Sequence, residues 1–282
     1  MFDMKSQRFG IEVEMTGLTR QKAAEVIAAA INGRYSYVGG SYRAYKVTDT
    51  FNRKWKIVND SSITTSGYDE AVELVSPILY YDKMKTLGKI LVALKAAGAI
   101  VNESCGIHIH VDAANHNVKS LKNLVKLFAK REDLIEKILK IHSRRLSYCS
   151  KTDSYLTRNI HKAKDMDSLA ELWYGGDEYH IESEKRNHYS STRYRMLNLH
   201  NVWFRGTVEF RMFNSSLDVD VVTSYIQFAL AISARAINIK SVKSSRLYYD
   251  TDKKETSQWL TRLGLTGQEY KICRKTLLRA VA

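Results

Sequence analysis

The sequence predicts an α+β fold, with one large domain and a helical C-terminal extension. Runs in which apolar and polar residues alternate recur along the chain, and amphipathic helices separate them. These strands and helices do not follow a regular βαβ alternation, which favours an α+β domain over a doubly wound one. A chain of 282 residues with 44% hydrophobic residues is long enough for one large domain or two modest ones. We assign residues 1–240 to the large domain and 241–282 to the extension.

The first part of the chain alternates strands with two amphipathic helices. Thr19 is a favourable N-cap for the first helix, and Gly33 is a stop after it. Pro77, the only proline, ends the last strand of this part because proline cannot donate to a ladder. We predict strands at residues 8–15, 42–47, 54–58 and 70–76, and helices at residues 19–32 and 82–97.

The second part is predicted to be richer in helices. Residues 144–190 are polar and Tyr-rich, with Gly175-Gly176 as a breaker, so we predict an irregular loop there that is a candidate lid or substrate loop. Thr266 to Glu269 has the form of a capping box in front of a last basic helix. We predict strands at residues 106–111, 194–199 and 207–213, and helices at residues 120–142 and 219–239.

Four of the predicted strands repeat a polar, metal-competent residue two positions apart, with an apolar residue beside it. Successive side chains of a strand point to opposite faces, so the apolar residues would pack into a core and the polar ones would share the other face. The expected core residues are Val13, Val72, Leu74, Ile109 and Phe210. The residues expected on the polar face are Glu12, Glu14, Glu73, His108, His110, Glu209 and Arg211.

This polar face predicts a metal site that also binds phosphate. Several carboxylates on one sheet face are costly unless something neutralises them, and a divalent cation with a bound phosphate would do so. Carboxylate oxygens are the ligands that Mg²⁺ prefers. Arg211, two residues from Glu209, can hold a phosphoryl group or a carboxylate through two parallel hydrogen bonds.

The residues alone leave a zinc-dependent hydrolase open as an alternative. The run from His108 through His110 to Asp112 has the HxHxD form with which zinc hydrolases open. In the metallo-β-lactamase pattern a histidine follows that aspartate directly, whereas here Ala113 does, and the next histidine is His116.

The charge leaves a basic nucleic-acid-binding protein as a further alternative. The net charge is +14, from 44 basic and 30 acidic residues, and such an excess attracts polyanions. The basic residues are nevertheless scattered, without zinc-finger spacing or an RNA-binding aromatic motif. We therefore favour a basic solvated surface and expect no specific nucleic-acid partner.

Other features predict a cytoplasmic protein without a membrane partner. No apolar run approaches the roughly 18–20 residues that span a bilayer, and the N-terminus has no apolar signal-peptide core. The three cysteines are few and widely spaced, which favours reduced thiols over a disulfide framework. The oligomeric state is left open.

Five motifs occur in order along residues 8–215. They are Phe9-Gly10-Ile11-Glu12-Val13-Glu14, the run 55–63 with Asp60-Ser61-Ser62-Ile63, Glu73-Leu74-Val75-Ser76-Pro77-Ile78-Leu79, Cys105-Gly106-Ile107-His108-Ile109-His110-Val111-Asp112 and Gly206-Thr207-Val208-Glu209-Phe210-Arg211. Together they resemble the motifs of the putative amidoligase family, whose carboxylate–amine ligases are related to glutamine synthetase and glutamate–cysteine ligase.

The resemblance implies a glutamine-synthetase-like domain, with a curved antiparallel sheet, helices on its outer side and Mg²⁺-ATP in the concave face. It implies an amide or peptide bond formed through an acyl phosphate, on small-molecule or peptide carboxylate and amine substrates. The implied metal ligands are Glu12, Glu14, Glu73, His108 and Glu209. The implied phosphate and substrate contacts are His110, Arg193, Arg195, Asn198 and Arg211.

Overall fold

The computed structural model describes residues 1–242 and 253–281, which form one eight-stranded antiparallel sheet and eleven α-helices. The strands are β1 Phe9–Met15, β2 Arg34–Gly39, β3 Ala44–Thr48, β4 Lys54–Val58, β5 Val72–Val75, β6 Gly106–Asp112, β7 Leu197–Asn198 and β8 Thr207–Asn214. The helices are α1 Arg20–Ala30, α2 Met84–Ala96, α3 Val118–Ala129, α4 Glu132–Leu139, α5 Ser154–Asn159, α6 Met166–Tyr174, α7 Glu178–Arg186, α8 His200–Phe204, α9 Val219–Asn238, α10 Lys253–Arg262 and α11 Lys271–Leu278.

The strands lie in the order β2-β3-β4-β5-β1-β6-β8-β7, so β1 is paired with β5 on one side and β6 on the other. The alternation predicted for these strands is confirmed, since one face of the inner strands is fully buried. The five side chains expected in the core have no solvent exposure: Val13, Val72, Leu74, Ile109 and Phe210. The α+β class is therefore confirmed, and the sheet is antiparallel throughout.

Helices cover the apolar face of this sheet. Helix α1 contacts β3 and β4, α9 contacts β6, and both α2 and α3 pack against α9. Helix α1 begins where predicted, because the Thr19 side chain accepts a hydrogen bond from the Lys22 amide. Helix α9 begins in the same way at Asp218, whose carboxylate accepts from the Val221 amide.

The single helix predicted over residues 120–142 is wrong, because the chain forms α3 and α4 with a break between them. The apolar stripe explains the break. Continuing it from Phe128 would require an apolar side chain at position 131 or 132, where Arg131 and Glu132 stand. The buried Glu132 carboxylate instead accepts hydrogen bonds from the amide and hydroxyl of Thr152.

The irregular loop predicted over residues 144–190 is also wrong, because α5, α6 and α7 lie within it. Each of these helices is capped by an aspartate: Asp153, Asp165 and Asp177 accept hydrogen bonds from the first-turn amides. The helices are short and mostly polar, so they lack the long apolar stripe on which the sequence prediction depended.

Two smaller predictions in the sheet need correction. Strand β2 was not predicted, because its side chains are nearly all exposed at the edge of the sheet and carry no buried alternation. The strand predicted over residues 194–199 is too long, because only Leu197–Asn198 form a strand. The Ser150 amide instead donates to the Tyr194 carbonyl, and the Met196 amide donates to the Ser150 carbonyl.

The C-terminal region also differs from its prediction. The prediction of a capping box at Thr266 to Glu269 is wrong, because Tyr270 precedes α11 and no side chain caps that helix. Helix α10 was not predicted, and α11 packs against α9. Part of the predicted extension, residues 243–252 and 282, lies outside the described residues, and the boundary at residue 240 stays a prediction. Across the described ranges, no helix combines the length and the apolar character that crossing a membrane requires.

Candidate metal centre

The register of the inner strands brings the predicted ligands together on the polar face. Three pairs of predicted site residues lie directly opposite each other on neighbouring strands. The opposed pairs are Glu12–His108, Glu14–Glu73 and His110–Glu209. Side chains directly opposite each other in an antiparallel pair are close enough to interact. The strands therefore form one cluster from residues that are up to 197 positions apart in the sequence, from Glu12 to Glu209.

Glu12 lies between the two histidines of β6. Its Oε2 accepts a hydrogen bond from His108 Nδ1 at 3.0 Å, and its Oε1 lies 3.3 Å from His110 Nε2. Burial disfavours the charged form of the Glu12 carboxyl, but the two imidazoles outweigh it and hold the pKa of Glu12 well below its usual range. Burial likewise lowers the pKa of His110, and the carboxylates of Glu12 and Glu209 more than reverse this, so the pKa of His110 is raised.

The Glu14 carboxylate is held by the first residue of β6 and by a buried arginine. Its Oε2 accepts a hydrogen bond from the Gly106 amide at 2.6 Å and lies 3.9 Å from Arg145 Nη1. Burial raises the pKa of the Glu14 carboxyl, and His108 and Arg145 oppose the shift. Arg145 is only 4% exposed and also donates from Nη2 to the Arg211 carbonyl at 2.9 Å. One buried guanidinium thus joins Glu14 on β1 to the backbone of β8.

Glu209 has more fixed partners than the other carboxylates. Its Oε2 accepts from Asn198 Nδ2 and from Asn201 Nδ2, each at 2.6 Å. Its Oε1 pairs with Arg211 Nη1 at 2.5 Å and lies 3.8 Å from His110 Nε2. Burial disfavours the Glu209 carboxylate, but Arg211 and the nearby histidines lower the pKa of Glu209 to about 2. This carboxylate is therefore charged and rigidly oriented.

A β-bulge in β8 lies beside the pair that Arg211 forms with Glu209. Ile109 of β6 lies opposite Phe210, whereas Ile107 lies opposite Phe213. The single residue His108 therefore faces two residues of β8, Arg211 and Met212. Two residues opposite one is the arrangement that defines a β-bulge. Met212 is fully buried, while the Arg211 guanidinium reaches the carboxylate two residues before it.

The clustered residues fit a divalent cation. Among the described residues there are three overlapping groups in which one ligand atom from each member lies within 4.8 Å of the others. They are Glu12–His110–Glu209, Glu12–Glu73–His108 and Glu14–Asp60–Glu73. Most of these ligand atoms are carboxylate oxygens, the donors that Mg²⁺ prefers, and two are imidazole nitrogens. All five predicted metal ligands belong to at least one group, and their role as ligands stays a prediction.

Three residues of this site were not predicted from the sequence. Asp60 joins a metal-competent group, although only its place in the second motif could have marked it. Asn201 lies in α8, three residues after Asn198 of β7, and donates to the same Glu209 carboxylate, a contact that no sequence motif indicated. Arg145 carries no local signal, because its partners Glu14 and Arg211 are remote in sequence.

The other predicted contacts lie at varying distances from the cluster. Asn198 is buried, and its amide donates to Glu209, so it orients that carboxylate. Arg193 Nη1 donates to the His188 carbonyl at 2.7 Å. The Arg195 guanidinium lies 4.3 Å from the centre of the Trp173 ring. Burial lowers the pKa of Arg195, and the carboxylates of Asp153 and Glu132 oppose that shift. The structure does not bring Arg195 to the metal-competent groups, and the substrate or phosphate roles of all three residues stay predictions.

The HxHxD pattern is not assembled as a metal site. The Asp112 carboxylate pairs with Arg8, and its Oδ1 accepts from the Ala114 amide at 3.0 Å. His116 is held by the Ser120 hydroxyl at 3.1 Å and the Ser233 hydroxyl at 2.9 Å. Burial lowers the pKa of His116 to about 4. Neither residue belongs to any of the three groups, so the structure does not favour the zinc-hydrolase interpretation.

A comparison with protein families decides the broader identity of the chain. A family described as "Putative amidoligase enzyme" matches residues 5–233, more than three quarters of the chain. The chain belongs to this amidoligase family. The match confirms the resemblance drawn from the five motifs, and it includes every predicted site residue of the amidoligase. Comparison with curated proteins gives no match.

Glu73 provides a first test of how the amidoligase cluster is organised. Burial, with the like charges of Glu12, Asp60 and Glu14 beside it, raises the pKa of the Glu73 carboxyl well above its usual range. The folded protein binds the Glu73 proton more tightly than the unfolded chain does. The stability that this proton contributes is therefore complete below the unfolded pKa of about 4.3, and it is lost as the pH rises through the higher pKa of the folded state. Without metal at about pH 8, Glu73→Gln is therefore expected to stabilise the protein.

We expect the melting temperature of Glu73→Gln in chelator to rise by a few degrees, since about 1 kcal/mol corresponds to roughly 2–4 °C in a chain of this size. The gain should shrink as the pH falls toward the unfolded pKa. Glu171→Gln, at an exposed position of α6, is the matched control and should change nothing. A Glu73→Gln protein less stable than wild type in chelator would instead identify Glu73 as a structural ion-pair partner.

Proposed function

We propose that this amidoligase is an ATP- and Mg²⁺-dependent carboxylate–amine ligase with a glutamine-synthetase-like catalytic domain. The observation that carries the proposal is the cluster of carboxylates and imidazoles across β5, β1, β6 and β8 in a member of an amidoligase family. Amidoligase chemistry requires two anions, a carboxylate and a nucleotide phosphate, to meet in one place. A site built from oxygen ligands for divalent cations suits that requirement.

The proposed reaction has two steps. An oxygen of the substrate carboxylate attacks the γ-phosphorus of ATP, so ADP leaves and an acyl phosphate forms. The nitrogen of an amine then attacks the acyl carbon, the C–O bond to phosphate breaks, and the amine loses a proton as the amide and inorganic phosphate are released. The enzyme needs no nucleophilic side chain for either step, because orientation and charge stabilisation supply the catalysis.

The cluster would hold Mg²⁺ through Glu12, Glu14, Glu73, His108 and Glu209, with Asp60 as a further ligand in the group that it shares with Glu14 and Glu73. When bound, Mg²⁺ screens the negative charge of the phosphates and of the attacking carboxylate. His110 and Arg211 would contact the phosphoryl group from the neighbouring positions on β6 and β8. Asn198 and Asn201 would keep Glu209 in a fixed orientation.

Two features disfavour the alternative functions. The zinc-hydrolase interpretation needs Asp112 as a ligand, and that carboxylate is engaged by Arg8 and by the turn after β6. A nucleic-acid-binding function would explain the charge of +14, but it would leave the buried carboxylate cluster without a role. We therefore propose small-molecule or peptide carboxylates and amines as substrates, in a cytoplasmic setting.

The ligase function is tested with carboxylates labelled with ¹⁸O. The protein is incubated with ATP, Mg²⁺ and a panel of amino acids and peptides, and ADP and product mass are measured. In the productive combination, an acyl phosphate should transfer one ¹⁸O atom from the carboxylate to inorganic phosphate. Glu171→Gln should keep this activity, because its side chain lies on exposed α6.

Asp112→Asn separates the ligase from the hydrolase. Asparagine can still accept the hydrogen bond from the Ala114 amide, so the turn after β6 should persist. The ligase function predicts that this variant remains active with Mg²⁺ and ATP. Turnover that requires Zn²⁺, proceeds without nucleotide and disappears in Asp112→Asn would establish the hydrolase instead.

A further inference from the structure

Arg205 lies at the edge of the metal-competent groups, beside Glu12. It follows α8 directly, and Gly206 at φ +72° turns the chain from there into β8. Arg205 Nη1 lies 3.7 Å from Glu12 Oε1, and 44% of the arginine side chain is exposed. The guanidinium therefore faces solvent on one side and a predicted metal ligand on the other.

His188 holds this guanidinium in place. Arg205 Nη2 donates to His188 Nε2 at 3.3 Å, which requires an unprotonated nitrogen there. The His188 ring in turn stacks on Phe204, with ring planes 10° apart and centres 5.5 Å apart. The His188 carbonyl also accepts from Arg193 Nη1 at 2.7 Å. One residue thus positions two arginines, and the buried Nε of Arg193 has no hydrogen-bond partner.

The second arginine at the cluster, Arg211, is engaged differently. Its side chain is only 7% exposed, its Nη1 pairs with Glu209, and its Nε lies 3.5 Å from the Tyr148 carbonyl. Arg205 has one hydrogen-bonded N–H, to His188, and a looser approach to Glu12. Because a guanidinium carries five N–H donors, Arg205 keeps the capacity for a further oxyanion, held through two parallel hydrogen bonds.

We propose that Arg205 binds an oxyanion of the incoming ligand, a carboxylate or a phosphoryl group, and that His188 is the positioning residue for it. An exposed, oriented guanidinium beside a carboxylate cluster attracts an anion to the side of Glu12, next to where the cluster would hold Mg²⁺. The inference deepens the proposed ligase function, and it rests on that function only for the identity of the anion.

The test measures dissociation constants of two probes in the presence of Mg²⁺. Pyrophosphate represents the phosphoryl source, and glutarate represents the carboxylate source. The variants are Arg205→Ala, Arg205→Lys and His188→Phe, with Arg186→Ala as the control for a lost positive charge, since Arg186 is exposed on α7. A lost charge-assisted hydrogen-bond pair should weaken binding roughly tenfold or more.

We expect Arg205→Ala to weaken one probe by that factor, Arg205→Lys and His188→Phe to weaken it less, and Arg186→Ala to change neither. The affected probe identifies the source of the anion. Equal binding by Arg205→Ala and wild type, or no binding of either probe by wild type, would overturn the proposal. An equal loss of Mn²⁺ affinity, followed by electron paramagnetic resonance, would also overturn it by showing that Arg205 only supports Glu12. A negative ligase assay with retained Arg205-dependent binding would reject the ligase function alone.

Discussion

Glu209→Gln is expected to abolish ligase turnover and to destabilise the protein. Glutamine has the shape of glutamate, but its amide group cannot accept from every donor around Glu209, namely Asn198, Asn201 and Arg211. Losing a preorganised group of this kind costs on the order of 10²–10³ in rate, and we expect at least that loss in ADP release. Mn²⁺ affinity should fall in parallel, because a predicted ligand has lost its charge.

The stability loss distinguishes Glu209 from Glu73. Breaking a buried ion pair by removing one partner typically costs about 3–5 kcal/mol, and Glu209→Gln leaves the buried Arg211 guanidinium without its closest carboxylate. The nearby Glu12 and Glu14 carboxylates offset part of that loss, since both also act on the pKa of Arg211. Chemical denaturation in chelator should therefore show destabilisation in Glu209→Gln and stabilisation in Glu73→Gln.

A double variant tests this explanation. Glu209→Gln combined with Arg211→Met removes both charges of the pair, so stability should recover relative to Glu209→Gln alone while turnover stays lost. If Glu209→Gln were as stable and as active as wild type, Glu209 would be neither a ligand nor an ion-pair partner. That result would remove the central member of the proposed site.

The second large effect is expected from Gly106→Ala, through Arg145. A Cβ on Gly106 would lie 1.8 Å from Arg145 Nη1, so the guanidinium would have to leave its place. Arg145 is buried and holds both the Glu14 side of the cluster and the Arg211 carbonyl. Overpacking of this kind costs about 1–3 kcal/mol, and the displaced cation should also lower ligase turnover.

Arg145→Leu provides the matched comparison for this prediction. It removes the cation without filling the space beside Gly106, so it should lower turnover by itself. If Gly106→Ala acts through Arg145, the double variant should be no worse than Arg145→Leu alone in stability and in ADP release. Simple addition of the two stability losses would show that the added methyl group acts elsewhere.

Part of this site could be predicted because it depends on local periodicity. Alternation along β1, β5, β6 and β8 separates Val13 and Ile109 from Glu12 and His108 wherever the strands are placed. Helix α1 was similarly predictable, because Thr19 caps it within three residues. The break between α3 and α4 is a local feature as well, because charges at positions 131 and 132 interrupt the stripe, so the sequence could have predicted it.

The sequence by itself determined the α+β class, the core face of the inner strands and the residue types on the polar face. Only the tertiary structure decided which of those residues meet. The strand order and register set Glu14 opposite Glu73 and His110 opposite Glu209. The physical reason is that side-chain alternation is a property of a few consecutive residues. Register and the approach of Arg145 or Arg205 depend on contacts between segments far apart in the chain.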